Sequence, residues 1–226
     1  MKQLLQNMHN GQTNIEDVPI PFIRNKFALV KTACSLVSAG TERMLVEFAE
    51  KNLVQKATSR PDLVKQVLSK AQREGILPTI EATFNKLDQP MSLGYSSAGT
   101  IVEVGSGMEG FKVGDRVACG GGTYAAHAEY DLVPRNLLVK LPDSVDFDSA
   151  AFTTLGAIAM QGFRLGTPQL GDRVCVIGLG LLGLMAVQIA RAAGCEVFGI
   201  DLSPKRVALA HDMGFAAAER GNSEEA

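Results

Sequence analysis

Val174-Cys175-Val176-Ile177-Gly178-Leu179-Gly180-Leu181-Leu182-Gly183 is the stretch that decides the fold. A short β-branched run ends in a G-x-G-x-x-G turn, and an apolar helical pattern follows it to Ala193. In that setting Gly178 permits the tight turn and Gly180 lets backbone come close to a pyrophosphate. Gly183 lets the helix lie against the strand, and the amides of the helix N-terminus then face the phosphates. The whole segment 178–183, Leu179, Leu181 and Leu182 included, is therefore a candidate dinucleotide-binding turn. Asp201 lies 23 residues after Gly178, at the end of the next predicted strand. A carboxylate there accepts from both ribose hydroxyls and repels a 2′-phosphate, which favours NAD. Arg206, one helical turn on, could stack on adenine or tolerate that phosphate, so NADP stays open.

Working outward, the pattern predicts a helix over 149–163, a strand over 173–177 and a helix over 181–193. A strand over 196–200, a helix over 204–213 and a short strand over 215–218 follow. Such alternation implies a parallel sheet with crossover helices. A complete sheet of this kind has about six strands, so the domain is expected to be incomplete, with 220–226 entering a further helix. On that reading the unit alone binds NADH weakly and turns over nothing.

The first part reads differently. Asn10-Gly11 is a turn signal, Phe27–Ala33 is a strand, and strands resume at 99–104, 116–119, within 124–130 and up to Leu141, between Gly-rich turns. A compact β domain over 1–147 is expected, followed by the α/β domain over 148–226. Between the early strands, about 42–90 is helical in spacing. Leu45, Ala49 and Leu53 share a face; Pro61 starts a second helix and Thr79 caps a third. This insertion has nearly balanced charge and is read as solvated helices, or as a lid or subunit contact. Gly-Asp-Arg-Val occurs at 114–117 and again at 171–174, each time as a turn entering a strand.

Bulk properties narrow the function. The 226 residues are 46% hydrophobic and 20% charged with a net charge of −2, which disfavours nucleic acid and anionic membrane as partners. The apolar run 174–187 is too short for a bilayer and is broken by glycine. The first residues turn polar before a signal-peptide core can form. Cys34, Cys119, Cys175 and Cys195 are widely spaced and fit neither a zinc ribbon nor a disulfide framework, pointing to a reducing cytoplasm.

Gly94-Tyr95-Ser96-Ser97-Ala98-Gly99-Thr100-Ile101-Val102-Glu103-Val104-Gly105, continuing to Phe111-Lys112-Val113-Gly114-Asp115-Arg116-Val117, resembles the medium-chain dehydrogenase/reductase superfamily. There the segment reads Gly-His-Glu-x-x-Gly-x-Val-x-x-Val-Gly. The resemblance implies a GroES-like β domain followed by a Rossmann domain, α/β in class. It also implies hydride transfer between nicotinamide and an alcohol or carbonyl. Val37-Ser38-Ala39-Gly40-Thr41-Glu42, Arg60-Pro61-Asp62 and Leu87-Asp88-Gln89-Pro90 resemble a bacterial subgroup in which this unit precedes a Gfo/Idh/MocA-type oxidoreductase domain. That subgroup implies a sugar- or polyol-like substrate, and the superfamily's full-length members are expected to be homo-oligomers.

The zinc pattern of the family is not kept. Its three ligand positions fall on Ser38, Tyr95 and near Thr153, whose hydroxyls and phenol are poor ligands beside thiolate and imidazole. The lobe with four cysteines is missing, and only Cys119 follows Val117. Zinc is therefore not expected. Cys34 and His127 read as a buried thiol and a strand histidine, although a third group could join them in an alternative metal site. Without zinc, Tyr95 is the first candidate proton donor, with Ser38 and Thr41 as a hydroxyl relay and Glu42 orienting them. Two alternatives stay open: an NADPH-dependent quinone or enoyl reductase, and a non-catalytic dinucleotide-binding module.

Overall fold

A computed structural model describes residues 1–8, 10–50, 55, 58 and 90–219, and these form two compact units, Met1–Phe152 and Thr153–Ala226. The predicted second and third helices of the insertion, and the ending 220–226, lie outside the described residues.

The first unit is built on antiparallel strands. β1 (Lys2–Gln6) and β2 (Thr13–Asp17) form a hairpin whose turn closes through Asn7 N to Gln12 O at 2.8 Å and uses Gly11 at φ +77°. β3 (Phe27–Ser35) leads through a turn into α1 (Thr41–Glu50). β4 (Met91–Ser92) pairs with β1, giving a three-stranded sheet in the order β2-β1-β4. β5 (Ser96–Val104), β6 (Arg116–Gly120), β7 (Tyr130–Pro134) and β8 (Leu138–Lys140) join β3 in a five-stranded sheet ordered β7-β3-β5-β6-β8. An isolated bridge between Gln3 and Ala128, with Leu4 N donating to His127 O at 2.9 Å, ties the small sheet to the segment before β7. That segment, expected to hold strand between 124 and 130, is a turn and bends until Tyr130.

The core of this unit alternates along the strands, as one buried face requires. Ala28, Val30, Ile101, Met108, Val117, Cys119, Ala125 and Val133 pack in one cluster. Ala98, Ala118, Ala150 and Ala151 form another with Leu36 and Phe147 beside it. The second cluster explains why the predicted helix over 149–163 is two helices. α2 (Phe147–Ala150) is capped by Asp146, whose Oδ1 accepts from Ser149 N at 2.6 Å. Ala150 and Ala151 are buried against β5 and β6, and Ala151 O accepts from Ser96 Oγ at 2.6 Å. The chain is held to the β unit there and starts again as α3 (Thr153–Leu165).

The second unit follows the predicted alternation closely. β9 (Arg173–Ile177), α4 (Leu181–Ala192), β10 (Glu196–Asp201), α5 (Pro204–Asp212) and β11 (Ala216–Glu219) make a three-stranded parallel sheet in the order β11-β10-β9. Leu179, Val187, Val207, Ala210 and Phe215 are its core. The fold is α/β, with a curled β unit and a second unit whose described residues form a three-stranded parallel sheet with helices. None of the described helices is long and apolar enough to cross a membrane.

Candidate functional site

In the second unit, β9 ends at Ile177 and the chain reverses at Gly178, which has φ +96° and donates its N–H to Ile200 O at 2.7 Å. A side chain at that φ is strained, so glycine is required. Gly180 is the N-cap of α4 and supplies no capping side chain. Space around its Cα is open, with nothing within 4 Å of where a Cβ would sit. The first intrahelical bond runs from Leu184 N to Gly180 O at 2.8 Å, so the preceding amides of the first turn have no partner within the helix. Gly183 is a different case. A Cβ there would run into the carbonyl oxygen of Gly178, so this glycine sets how closely helix and turn approach. Leu181 and Leu182 flank the turn with exposed side chains.

Two of the predicted cofactor residues do something the sequence reading did not foresee. Leu179 is fully buried in the core, and its N–H donates to Asp201 Oδ2 at 2.6 Å. In this structure that amide is spent on Asp201 and the side chain on packing. Asp201 in turn is only 4% exposed at its side chain. Its Oδ1 accepts from Ser203 N at 2.8 Å, and Arg206 Nη1 stands 3.5 Å from Oδ2. The backbone hydrogen bond from Ser203, with those from Leu179 and the Arg206 charge behind it, holds this carboxyl below the ordinary aspartate range. Asp201 thus ties the end of β10 to the glycine turn. Ile177, Gly178, Ile200, Asp201, Leu202, Ser203 and Arg206 line a hollow of about 490 Å³ at the carboxyl ends of the strands. Open α/β sheets bind their ligands at this end.

The candidate catalytic residues Ser38, Thr41, Glu42 and Tyr95 all lie in the first unit. Ser38 precedes α1, and its backbone N–H donates to Glu42 Oε1 at 2.9 Å while Glu42 N donates to Ser38 O at 3.0 Å. This reciprocal pair resembles a capping box and fixes the turn that carries Ser38 and Thr41. Neither hydroxyl hydrogen-bonds a described residue. Tyr95 is half-buried just before β5, and its phenol meets no described partner either. The expected orienting of Ser38 by Glu42 is seen at the backbone and not at the hydroxyl.

The sequence reading missed the other half of Glu42. Its Oε2 lies 2.9 Å from His127 Nε2, both side chains being at most 10% exposed. His127 Nδ1 lies 2.8 Å from Ser35 Oγ. The sequence signal was weak but present: His127 is one of three histidines and sits among alanines, in 125–128. The two residues before Tyr95 pack against the backbone of His127. His127 N donates to Leu93 O at 2.8 Å, and a Cβ on Gly94, at φ +97°, would lie 2.7 Å from His127 N. Cys34 does not join this set. Its thiol donates to Phe147 O at 2.8 Å, and burial, with Asp148 nearby, raises its pKa. Cys34 and His127 thus have separate partners in this structure, and among the described residues no three His, Cys, Asp or Glu converge as metal ligands.

Deeper in the first unit Asp131 is buried, and Ser97 Oγ at 2.8 Å, Ala126 N at 3.1 Å and Thr32 Oγ1 at 3.4 Å donate to it. Burial outweighs those bonds and pushes its pKa up to about 7.

Comparison with known proteins agrees with this geometry. Residues 66–143 match the alcohol dehydrogenase GroES-like domain family, and residues 182–224 match the zinc-binding dehydrogenase family. The chain is 32% identical over 152 residues to (R,R)-butanediol dehydrogenase of Bacillus subtilis, covering 55% of this chain and 43% of that protein. It is 36% identical over 128 residues to a quinone oxidoreductase of Pseudomonas aeruginosa, covering 55% and 39%. In fold it is similar to galactitol-1-phosphate dehydrogenase from Escherichia coli, with a TM-score of 0.73 at 23% identity, covering all of this chain and 62% of that one. The chain thus spans about half the length of the curated relatives it matches. By its two consecutive domain matches the chain belongs to the zinc-type alcohol dehydrogenase-like proteins of the medium-chain dehydrogenase/reductase superfamily.

Proposed function

We propose that this chain is the GroES-like unit and adenosine-side cofactor unit of an NAD(P)-dependent oxidoreductase. It moves a hydride between nicotinamide C4 and an alcohol or carbonyl carbon of a sugar- or polyol-like substrate. The observation that carries this reading is the turn 178–183: an open Gly180 and an unpartnered helix N-terminus stand beside a hollow at the strand ends. A pyrophosphate at Gly180, Leu181 and Leu182 would meet backbone N–H groups and the positive end of α4. The butanediol dehydrogenase likeness supports an alcohol or polyol substrate. The subgroup resemblance of the insertion supports a place beside a second oxidoreductase domain, and the wide spacing of the four cysteines supports a cytoplasmic setting.

A catalytic zinc does not suit the residues present. Ser38, Tyr95 and Thr153 offer neutral oxygen donors, and both ring nitrogens of His127 already have partners. The proton is instead handled by this chain's own groups. Tyr95, half-buried and with no partner for its phenol among the described residues, donates a hydrogen bond to the carbonyl oxygen and to the alkoxide forming there. Ser38 and Thr41, on the turn braced by Glu42, are the candidate hydroxyl relay.

One observation favours a second reading. Arg206 is more than half exposed beside the hollow while Asp201 is almost wholly covered, an arrangement that accepts a 2′-phosphate better than the sequence pattern alone suggests. With the quinone oxidoreductase likeness, this supports an NADPH-dependent quinone or enoyl reductase. The test uses the full-length protein. NADH and NADPH affinities are measured by fluorescence, and a polyol and quinone panel is assayed with and without a chelator. Turnover of a polyol with NAD that survives chelation, and falls at least ~100-fold in Tyr95→Phe with cofactor binding kept, is expected. Activity lost to the chelator and restored by zinc overturns the metal-free reading, and undiminished Tyr95→Phe turnover removes Tyr95 from it.

A further inference from the structure

We infer that Ser35, His127 and Glu42 form a proton relay for this oxidoreductase, with His127 as the group that stores the proton. The inference rests on the hydride-transfer reading above. Ser35 Oγ, His127 and Glu42 make an unbroken chain of two side-chain hydrogen bonds, 2.8 Å at Nδ1 and 2.9 Å at Nε2. Its residues come from the end of β3, the segment before β7 and the first turn of α1. A purely structural anchor for α1 would need only the Glu42 contact. Here the ring's second nitrogen is also bonded, to the hydroxyl of the half-buried Ser35, so the Ser35 end of the chain is the more open of the two and the Glu42 end is buried.

The geometry assigns the protons. Glu42 Oε1 accepts from Ser38 N, so the group is bonded as a carboxylate, and its Oε2 accepts from Nε2–H of the ring. Nδ1 is then the acceptor, and Ser35 donates to it. Other charged or titratable groups on the packed segments have separate partners. Arg43 pairs with Glu47, Glu129 Oε2 takes the Lys2 N–H, Asp131 takes Ser97 and Ala126, and Cys34 takes Phe147 O. Leu93 and Gly94, whose backbone packs against that of His127, directly precede Tyr95, and the Tyr95 phenol has no partner among the described residues.

During alcohol oxidation the carbinol C–H bond breaks, its hydride reduces the nicotinamide, and the hydroxyl proton leaves as the carbonyl forms. Ser35 Oγ takes up that proton as it passes its own to Nδ1. His127 becomes an imidazolium held by the Glu42 carboxylate, and returns the proton through Ser35 to solvent once the product has left. Carbonyl reduction runs the same steps backwards. Ser35 and His127 move the proton; Glu42 is a positioning residue.

The test is made on the full-length enzyme with NAD and a polyol that it oxidises. His127→Gln keeps hydrogen-bonding capacity without titrating, and Ser35→Ala breaks the chain at its open end. Expected are a fall in kcat of about 100-fold for His127→Gln, KM and NADH affinity within about twofold, and loss of the rising acid limb of the pH profile. Nitrogen NMR of the wild-type imidazole is expected to show the Nε2–H tautomer for the neutral ring, a readout that stands even if a variant fails to fold. A neutral Nδ1–H tautomer, or an unchanged acid limb in both variants, overturns the relay while leaving the oxidoreductase reading in place. Absence of cofactor binding by the wild type overturns that reading and the relay with it.

Discussion

Gly180 and Gly183 are three residues apart in one turn and do opposite work. At Gly180 a methyl group meets open space, whereas at Gly183 it meets the carbonyl oxygen of Gly178. Gly180→Ala is therefore expected to leave the fold intact and weaken NADH binding about tenfold or more, because the methyl group stands where the phosphates approach. Gly183→Ala is expected to destabilise the second unit by about 1–3 kcal/mol, the usual cost of forcing extra volume into packed structure. Denaturant unfolding and NADH titration of the two variants check this contrast, and equal stability losses would refute it. The two glycines and their strand–turn–helix setting were legible in the sequence, since each is a local feature. The partnership of Leu179 N with Asp201 was not. Spacing tells that a carboxylate ends the second strand; it does not tell whether its oxygens face a ribose or the turn's own amides. Here Oδ1 and Oδ2 both take backbone N–H groups of the protein.

Elements show the same division between local and long-range signals. The repeated Gly-Asp-Arg-Val proves to be one local turn used twice. Gly114 and Gly171 both have positive φ, and Asp115 and Asp172 each accept the N–H three residues back, from Lys112 at 2.8 Å and Gln169 at 2.7 Å. Arg116 and Arg173 then begin β6 and β9, so turn chemistry accounts for the repeat. In contrast, nothing local announces that Ser35 and Glu42 meet His127. On β3 the register slips between Thr32 and Cys34, where one step on β5 faces two on β3, and a simple alternating pattern misplaces every residue after it. The same distance hides Asp131, which strand alternation places inward without naming its partners on β3 and β5. Its carboxyl, ionising near 3.8 when free, titrates near 7 in the folded unit. The unfolded chain then releases this proton first, so the group's contribution to stability is full below about pH 4 and is lost as pH rises to about 7. The loss is on the order of 4 kcal/mol. Asp131→Asn keeps an acceptor for Ala126 N, and the Ser97 and Thr32 hydroxyls can turn to accept from its amide. This variant is expected to flatten the stability slope between pH 4 and 7, read by denaturant midpoints across that range. A slope equal to that of the wild type would show that the burial of Asp131 is not the source.

At the scale of the molecule, the hydrophobic clusters respect the division of the chain. Those built on Val30, Ile101 and Val133 and on Ala98, Ala118 and Ala151 belong to the first unit, and the one built on Leu179, Val187 and Phe215 belongs to the second. Each unit thus has its own source of cooperativity, and the two carry different chemistry: a buried Glu–His–Ser chain in one and an anion-ready helix start in the other. Ligand and pH should act on them separately. Thermal unfolding followed by calorimetry is expected to resolve two transitions. NADH at a hundred times its dissociation constant stabilises the unit that binds it by about 2.7 kcal/mol, which raises only the transition of the second unit. Raising the pH from 5 to 8 lowers the transition of the first, through Asp131. Hydrogen exchange at Leu179 and Val187 against Val30 and Ile101 assigns each transition to its unit. A single transition that moves as a whole with both NADH and pH would mean that the units unfold as one. In that case the turn at 178–183 and the relay at His127 would share a stability that their separate cores do not predict.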